Sequence, residues 1–316
     1  MKNILKLIPV VILAVLVCSS CKKTTTTTTA NPNASQHNQD VQNTKSESDN
    51  SNTDINSAVT GTSGFGKNSA TEAISICGAT IDSSHMNASP NPYLLLTYDG
   101  TTVCPGPNRT KSGQVKIELV AGTHWTDVNA QLMVTYTNYK VTFLTLNNAF
   151  IEFNGTKYLT DVNGIGLGFL LGTTPAEIRE RTYGMTVTFE NGYTASWNDA
   201  RLSTWSYAYA TGVLSATVSA DTTINGQTNV DSWGLTRWGT SFTTVMNSPW
   251  QSNSACGWWA PTSGQYTSTT TDFLVSASFG LNGSGASVSS GCATDFKLSW
   301  TINSPASSGS ILLAYY

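Results

Sequence analysis

The chain has 316 residues, of which 11% are charged and 39% are hydrophobic, with 26 Gly, 9 Trp and 12 Tyr. Its 16 Lys and Arg against 19 Asp and Glu give a net charge of -3, which argues against a nucleic-acid partner because phosphates are bound by a basic excess. Three His residues without paired ligand spacing do not indicate zinc, and we predict no metal and no cofactor. The length suffices for one large domain or two small ones.

The amino terminus has the features of an export signal. Two lysines in the first six residues precede an apolar run at 7–17, which is shorter than the roughly 20 residues of a membrane span. The small Ser20 suits a peptidase that cuts ahead of a lipid-modified cysteine, so we predict a signal at 1–20 and a lipid anchor on Cys21. Two alternatives stay open: Cys18, which the bulky Val17 disfavours as an acceptor, and an ordinary secretory signal.

Residues 21–72 are predicted to form a lipid-anchored, disordered tether. The segment is rich in Thr, Ser, Asn, Gln and Asp and has almost no large apolar side chain, so it is not expected to bury a core. A flexible coil of about fifty residues has an end-to-end distance of roughly 40 Å, enough to hold a domain clear of a membrane surface. His37 lies in this segment and is expected to be solvated.

The sequence Ser-Ser-Cys-Lys-Lys at 19–23, followed by a polar segment and a β-rich domain, resembles the small cell-envelope lipoproteins of Bacteroidota-type bacteria. The resemblance implies lipid on Cys21 as the contact with the membrane. Because Lys22 rather than Asp follows the cysteine, it also implies the outer membrane, on either its periplasmic or its outer face. The domain also resembles an uncharacterised β-rich family of the same bacteria. The residues that carry this resemblance are 104–109, 111–115, 147–149, 155–157, 192–197, 256 and 291–295. That resemblance implies no reaction.

Four cysteines remain in the domain when Cys18 and Cys21 are set aside. An even number in an exported chain predicts disulfides. Three pairings are open, and we favour the local one, which joins Cys77 to Cys104 and Cys256 to Cys292. A metal site is the alternative, but the wide spacing without Cys-x-x-Cys does not favour it.

Alternation of apolar and polar residues dominates the chain from residue 73 to 316. In 115–119, Val115, Ile117 and Leu119 alternate with polar residues, which predicts a strand with one buried face. Asn191-Gly192 between alternating runs at 185–189 and 193–197 predicts a hairpin. Further strands are predicted at 93–98, 132–137, 139–145, 150–153, 157–162, 215–219, 241–246, 273–279, 296–302 and 311–316.

One segment, 174–184, has the sequence features of a helix. Thr174 and Glu177 form a capping box, Pro175 occupies the first helical position, Glu177 precedes Arg181 by four residues, and Gly184 offers a stop. We therefore predict a short helix of about two turns inserted in an all-β domain. The domain is expected to be an antiparallel β-sandwich or a partly closed barrel, preceded by the disordered tether.

A cluster of tryptophans is the most unusual feature of the domain. Flat aromatic faces stack on sugars, and nearby Asn, Gln and Ser side chains can bond hydroxyl groups, so the cluster is a candidate ligand platform. Burial in the core is the alternative that the residue type itself favours. The candidate residues are Trp233, Trp238, Trp250, Trp258 and Trp259.

No motif predicts catalysis. Gly-x-Ser-x-Gly does not occur in the sequence, and the glycine-rich 164–168 lacks the remaining residues of a phosphate-binding loop. His85 with Asp82 and His124 with Asp127 have the spacing of a base and its orienting carboxylate, a pattern that often arises by chance. A glycosidase needs two carboxylates, for which the candidates are Glu118, Asp127, Glu152, Glu190 and Asp199.

The sequence therefore predicts a lipid-anchored envelope protein with a binding or structural role. Its expected partners are the membrane, through lipid on Cys21, and a polysaccharide or another envelope protein. An envelope hydrolase acting on glycans is the alternative. Asp221-Thr222-Thr223 resembles the O-glycosylation signal of the same bacteria, which makes Thr222 a candidate acceptor.

Overall fold

The computed structural model describes residues 32–62, 65, 75–104, 108–166, 174–257, 260–303 and 306–315. These residues form one helix, α1 (Pro32–Gly61), and fifteen strands. The strands are β1 (Ala79–Asp82), β2 (Tyr93–Asp99), β3 (Arg109–Ala121), β4 (Ala130–Phe143), β5 (Ala149–Asp161), β6 (Ala176–Phe189), β7 (Thr194–Ala208), β8 (Val213–Ala220), β9 (Thr222–Ile224), β10 (Gln227–Leu235), β11 (Ser241–Asn253), β12 (Ser263–Thr270), β13 (Phe273–Leu281), β14 (Asp295–Asn303) and β15 (Ala306–Ala314).

All strands belong to one antiparallel sheet, and the predicted all-β class is confirmed. The order is β1-β2-β3-β4-β5-β6-β7-β10-β11-β12-β13-β14-β15. Strand β8 pairs with the second halves of β7 and β11, whereas β10 pairs with their first halves, so these four strands pair in a closed circuit. Strands β1 and β15 are the edges of the sheet in the described part of the chain.

The alternating pattern places apolar side chains on one face of each strand, as predicted. Val115 and Ile117 on β3 are fully buried, and the predicted hairpin joins β6 to β7, with Val187 opposite Ala195. Its turn contains Glu190 as well as Asn191 and Gly192, because Phe189 pairs with Tyr193. The predicted strands at 132–137 and 139–145 form a single strand, β4, which Asn138 interrupts as a bulge opposite Gly113. A Cβ on Gly113 would lie 2.0 Å from the Asn138 carbonyl oxygen, so only glycine fits this crossing.

The predicted disordered tether is wrong over residues 32–61, where the structure has the helix α1. Many of its polar side chains are buried inside the curved sheet, where several of them bond to the sheet or to each other. His37, which we expected to be solvated, is 2% exposed, and its Nε2 atom lies 2.8 Å from Ser268 Oγ. Burial and the nearby charge of Lys45 lower the pKa of His37 to about 4, so its ring is neutral at pH 7.

The sheet curls around α1. His37 contacts Phe242 of β11 and Phe273 of β13, whereas Asp54, seventeen residues later, accepts hydrogen bonds from Tyr98 of β2 and Lys111 of β3. The helix therefore crosses the concave face of the sheet, from the strands near the end of the chain to the strands near its beginning.

The predicted helix at 174–184 is also wrong, because Ala176–Phe189 is strand β6. Ile178, Glu180 and Thr182 all point to the buried face, and the strand pairs on both sides, with β5 and β7. A sequence with a capping box can also alternate, and here the pairing of two neighbouring strands outweighs the local helix signal.

Both favoured disulfides are present. Cys77 is bonded to Cys104, and Cys256 is bonded to Cys292. The first bond ties the segment before β1 to the β2–β3 connection, and the second joins the β11–β12 and β13–β14 connections. Within the described ranges, no helix is both long and apolar enough to cross a membrane.

Candidate functional site

Ion pairs link α1 to the sheet on several sides. The helix turns by about 100° per residue, so Lys45, Glu47 and Asp49 point in different directions. Lys45 pairs with Asp231 on β10, Glu47 lies 2.7 Å from Arg109 on β3, and Asp49 lies 3.0 Å from Arg201 on β7. These three charged side chains thus meet opposite charges on three different strands.

The centre of this network is Glu180 on β6. Its carboxylate lies 3.0 Å from Arg201 and 3.6 Å from Lys157, and it accepts hydrogen bonds from Ser48 and Asn52 of α1. Burial alone would raise the pKa of Glu180, but the charges of Arg201 and Lys157 outweigh it and lower the pKa to about 2. Glu180 therefore stays ionised at neutral pH.

Asp199 lies beside the same network on β7. Burial, followed by the negative charge of Glu180, raises the pKa of Asp199 to about 7. Its Oδ1 atom has no hydrogen-bond partner among the described residues, and Asp199 lines a space of about 290 Å³ beneath α1, part of which is open to solvent. Thr44, Glu47 and Tyr139 line the same space, and each has a buried side-chain oxygen without a partner among the described residues.

A larger cleft lies between α1 and the sheet. It has about 480 Å³ of empty space, part of it open to solvent. Two tryptophans and three other apolar side chains make up most of the sheet side, and three polar side chains with Ile55 make up the helix side. The lining residues are Asp49, Asn52, Ile55, Asn56, Trp125, Leu132, Leu159, Ile178, Glu180, Ser203 and Trp205.

The two tryptophans of the cleft are held by their backbones. The Trp125 N–H donates to the carbonyl of Phe65 at 2.6 Å, which ties the β3–β4 connection to the segment after α1. Trp205 on β7 pairs with Ala176 and Ala216 on the neighbouring strands, and these small residues leave room for the indole ring. Trp125 is buried and Trp205 is half-buried.

The helix side of the cleft carries free hydrogen-bonding capacity. The Oδ1 atoms of Asn52 and Asn56 are buried and have no partner among the described residues. The two residues are four positions apart, so they lie on the same face of α1, one turn from each other. Buried amide oxygens without partners are costly, and a ligand with hydroxyl or amine donors would satisfy them.

The structure does not bring together the tryptophans that we predicted as a platform. Trp233 is half-buried on β10, Trp238 is exposed in the β10–β11 turn, and Trp250 stacks on Phe279 with ring centroids 5.4 Å apart. Thr243 lies opposite Trp233, so Trp250 is about 23 Å farther along β11. Trp258 and Trp259 lie outside the described residues.

The candidate catalytic residues do not form a site: the two His–Asp pairs lie on the surface, and the candidate carboxylates lie apart from one another. His85 lies 3.4 Å from Asp82, and His124 lies 3.9 Å from Asp127, with both histidine side chains 38% exposed. The predicted carboxylates are dispersed: Glu118 and Glu152 are on β3 and β5, with β4 between them, Glu190 is in the β6–β7 turn, and Asp199 lies under α1. Among the described residues, no three His, Cys, Asp or Glu side chains form a metal-binding group.

Thr222, the candidate glycosylation acceptor, is half-buried on β9. The preceding Asp221 is bound by Arg179 and Arg181 of β6, and these arginines outweigh the effect of burial and lower its pKa.

The cleft tryptophans and asparagines were missed in the sequence. Trp125 and Trp205 are 80 residues apart, and Asn52 and Asn56 fall in the segment that we predicted to be disordered. The only signal was the four-residue spacing of the two asparagines. This spacing places them on one face only if the segment is a helix. Comparisons with protein-family models, with curated proteins and with solved structures found no match.

Proposed function

We propose that the protein is a lipid-anchored component of the cell envelope that binds a small, neutral, hydroxyl-rich ligand, of which a sugar unit is the best representative. The observation that carries the proposal is the cleft between α1 and the sheet. It combines the aromatic rings of Trp125 and Trp205 with the unpartnered amide oxygens of Asn52 and Asn56. Aromatic faces pack against the C–H surfaces of a sugar while amide oxygens accept hydrogen bonds from its hydroxyl groups.

The charges of the cleft favour a neutral ligand over an acidic one. Asp49 and Glu180 both line the wall, and Glu180 stays ionised. An anionic sugar would face these carboxylates in a partly desolvated site, where like charges repel strongly. The ionised carboxylate of Glu180 also supports binding in preference to hydrolysis. A general acid must carry a proton at the working pH, and Glu180 does not.

Trp205→Ala is expected to weaken ligand binding by about 10- to 100-fold, because a half-buried aromatic ring at the mouth of a cleft is typical of a binding hot spot. The measurement is a titration of the chain with a panel of neutral and acidic sugars, followed by tryptophan fluorescence and calorimetry. Trp238→Ala is the matched control, because it removes an exposed tryptophan outside the cleft.

Equal affinity of the Trp205→Ala chain and the unmodified chain would remove the cleft as the binding site. Release of reducing sugar in the same samples would indicate the hydrolase alternative. Absence of binding across the whole panel would leave a structural or protein-binding role as the better proposal.

The anchor is tested separately. We expect radiolabelled palmitate to be incorporated into the full chain and to be lost completely in Cys21→Ala, because the acyl acceptor is the thiol of that residue. Cys18→Ala is the matched control and should keep the label. Unchanged labelling in Cys21→Ala would contradict the proposed anchor.

A further inference from the structure

Exposed apolar side chains gather at one end of the sheet. The antiparallel rows of the sheet place the β2–β3, β4–β5, β6–β7, β10–β11 and β12–β13 connections at the same end. Six large apolar side chains in or beside these connections are 36% to 53% exposed. We call this set the apolar rim: Val103, Leu144, Tyr193, Leu235, Trp238 and Leu274, which range from 36% for Trp238 to 53% for Val103.

The first turns of α1 emerge at the same end. Asp40 pairs with Arg237 in the β10–β11 turn, and His37 packs on Phe273, the first residue of β13. Only ten residues, 22–31, separate Cys21 from Pro32. Fully extended, ten residues span at most about 36 Å, so lipid on Cys21 would keep this end of the sheet near the bilayer.

The binding cleft lies toward the opposite end. Trp125 is in the β3–β4 connection, and Trp205 is near the end of β7 that precedes the β7–β8 hairpin. A bilayer at the apolar rim would therefore leave the cleft facing away from the membrane and open to a ligand.

We propose that the apolar rim is an interfacial membrane-docking surface that contacts lipid by itself; only its approach to the bilayer in the cell rests on the proposed lipid at Cys21. Tyr and Trp are suited to such a surface, since their rings are apolar on one side and carry a polar group that stays hydrated. The charged side chains exposed in these connections include Glu190 and Asp272, which are acidic. The surface therefore fits zwitterionic lipid, and its binding is insensitive to salt.

The test uses residues 22–316, which contain every described residue and contact but lack the predicted signal and the acylated cysteine. Sedimentation with vesicles of phosphatidylethanolamine and phosphatidylcholine should recover this chain, equally at low and high salt. The double variant Tyr193→Ser with Trp238→Ser should reduce partitioning by about tenfold. Leu144→Ser with Leu235→Ser is the second variant, and it should act in the same direction.

Tyr207→Ser with Tyr209→Ser is the matched control, because it removes two exposed tyrosines at the opposite end of the sheet. It should leave partitioning unchanged. Equal loss in the control and rim variants, or no recovery of the unmodified chain with vesicles, would overturn the docking surface. Palmitate labelling of Cys21 is measured on the full chain, so failure of the anchor and failure of the rim are distinguished.

Discussion

A chain that lacks α1 is expected to lose cooperative unfolding. The helix fills the concave side of the sheet with Val41, Ile55, Ala58 and Val59, each at most 1% exposed. Its removal would also leave Arg109 and Lys111 on the inner face of the sheet without the carboxylates that pair with them. Uncompensated buried charges cost about 3–5 kcal/mol each when a pair is broken, which is comparable to the whole stability of a domain.

The measurement is urea unfolding of residues 62–316, followed by far- and near-ultraviolet circular dichroism. Residues 32–316 are the matched control, since they keep the helix and every contact that it makes. A sharp transition in residues 62–316 at the same urea concentration as the control would show that the sheet folds without α1, and would contradict this prediction.

The isolated helix should not form. Asn, Ser, Thr and Asp dominate residues 32–61, and these are poor helix formers because their side chains compete for backbone hydrogen bonds. Most of the stability of α1 must therefore come from its packing inside the sheet.

The same physics explains which parts of the fold were predictable from the sequence. Strands such as β3 and β6 can be recognised from a few consecutive residues, because every second side chain faces the core and the sequence alternates accordingly. Bulges at Asn138 and Gly155 divided single strands in our prediction, and β12 was missed because Ser and Thr occupy most of its positions. The disulfides were predictable because four cysteines in the domain allow only three pairings.

The helix and the cleft were not predictable, because their decisive partners lie far away in the sequence. Asp40 is 197 residues from Arg237, and Lys45 is 186 residues from Asp231. A polar segment is soluble by itself and gives no apolar periodicity, so its composition resembles that of a disordered tether. Only a sheet that carries matching charges on its inner face turns such a segment into a core element.

Arg201→Met is the point substitution with the largest expected effect on stability. The guanidinium is 2% exposed and lies 3.0 Å from both Asp49 and Glu180, with Asp199 two residues away on the same strand. Methionine fills much of the volume but supplies no charge, so carboxylates would be left buried with Lys157 as the nearest cation. The expected loss is about 3–5 kcal/mol in the free energy of unfolding, measured by urea denaturation at pH 7.

The surface pair on the neighbouring strand provides a matched control. Arg179 is 38% exposed and lies 2.8 Å from Asp221, so Arg179→Met should cost less than about 1 kcal/mol. The double variant Arg201→Met with Glu180→Gln should recover part of the loss, because it removes a carboxylate that the single variant leaves uncompensated. Equal losses in Arg179→Met and Arg201→Met would contradict the buried network.

The loss of unfolding free energy in Arg201→Met should also depend on pH, and it should become smaller in acid because Glu180 becomes protonated. In the unmodified protein the pKa of Glu180 is lowered from 4.5 to about 2, so its contribution is complete above pH 4.5 and is lost as the pH falls towards 2. In Arg201→Met the same carboxyl has lost its main cation, its pKa rises, and protonation relieves the buried charge. The difference in unfolding free energy between the two proteins should therefore narrow below about pH 4.5. A difference that stays constant from neutral to acid pH would show that Arg201 acts through packing rather than charge.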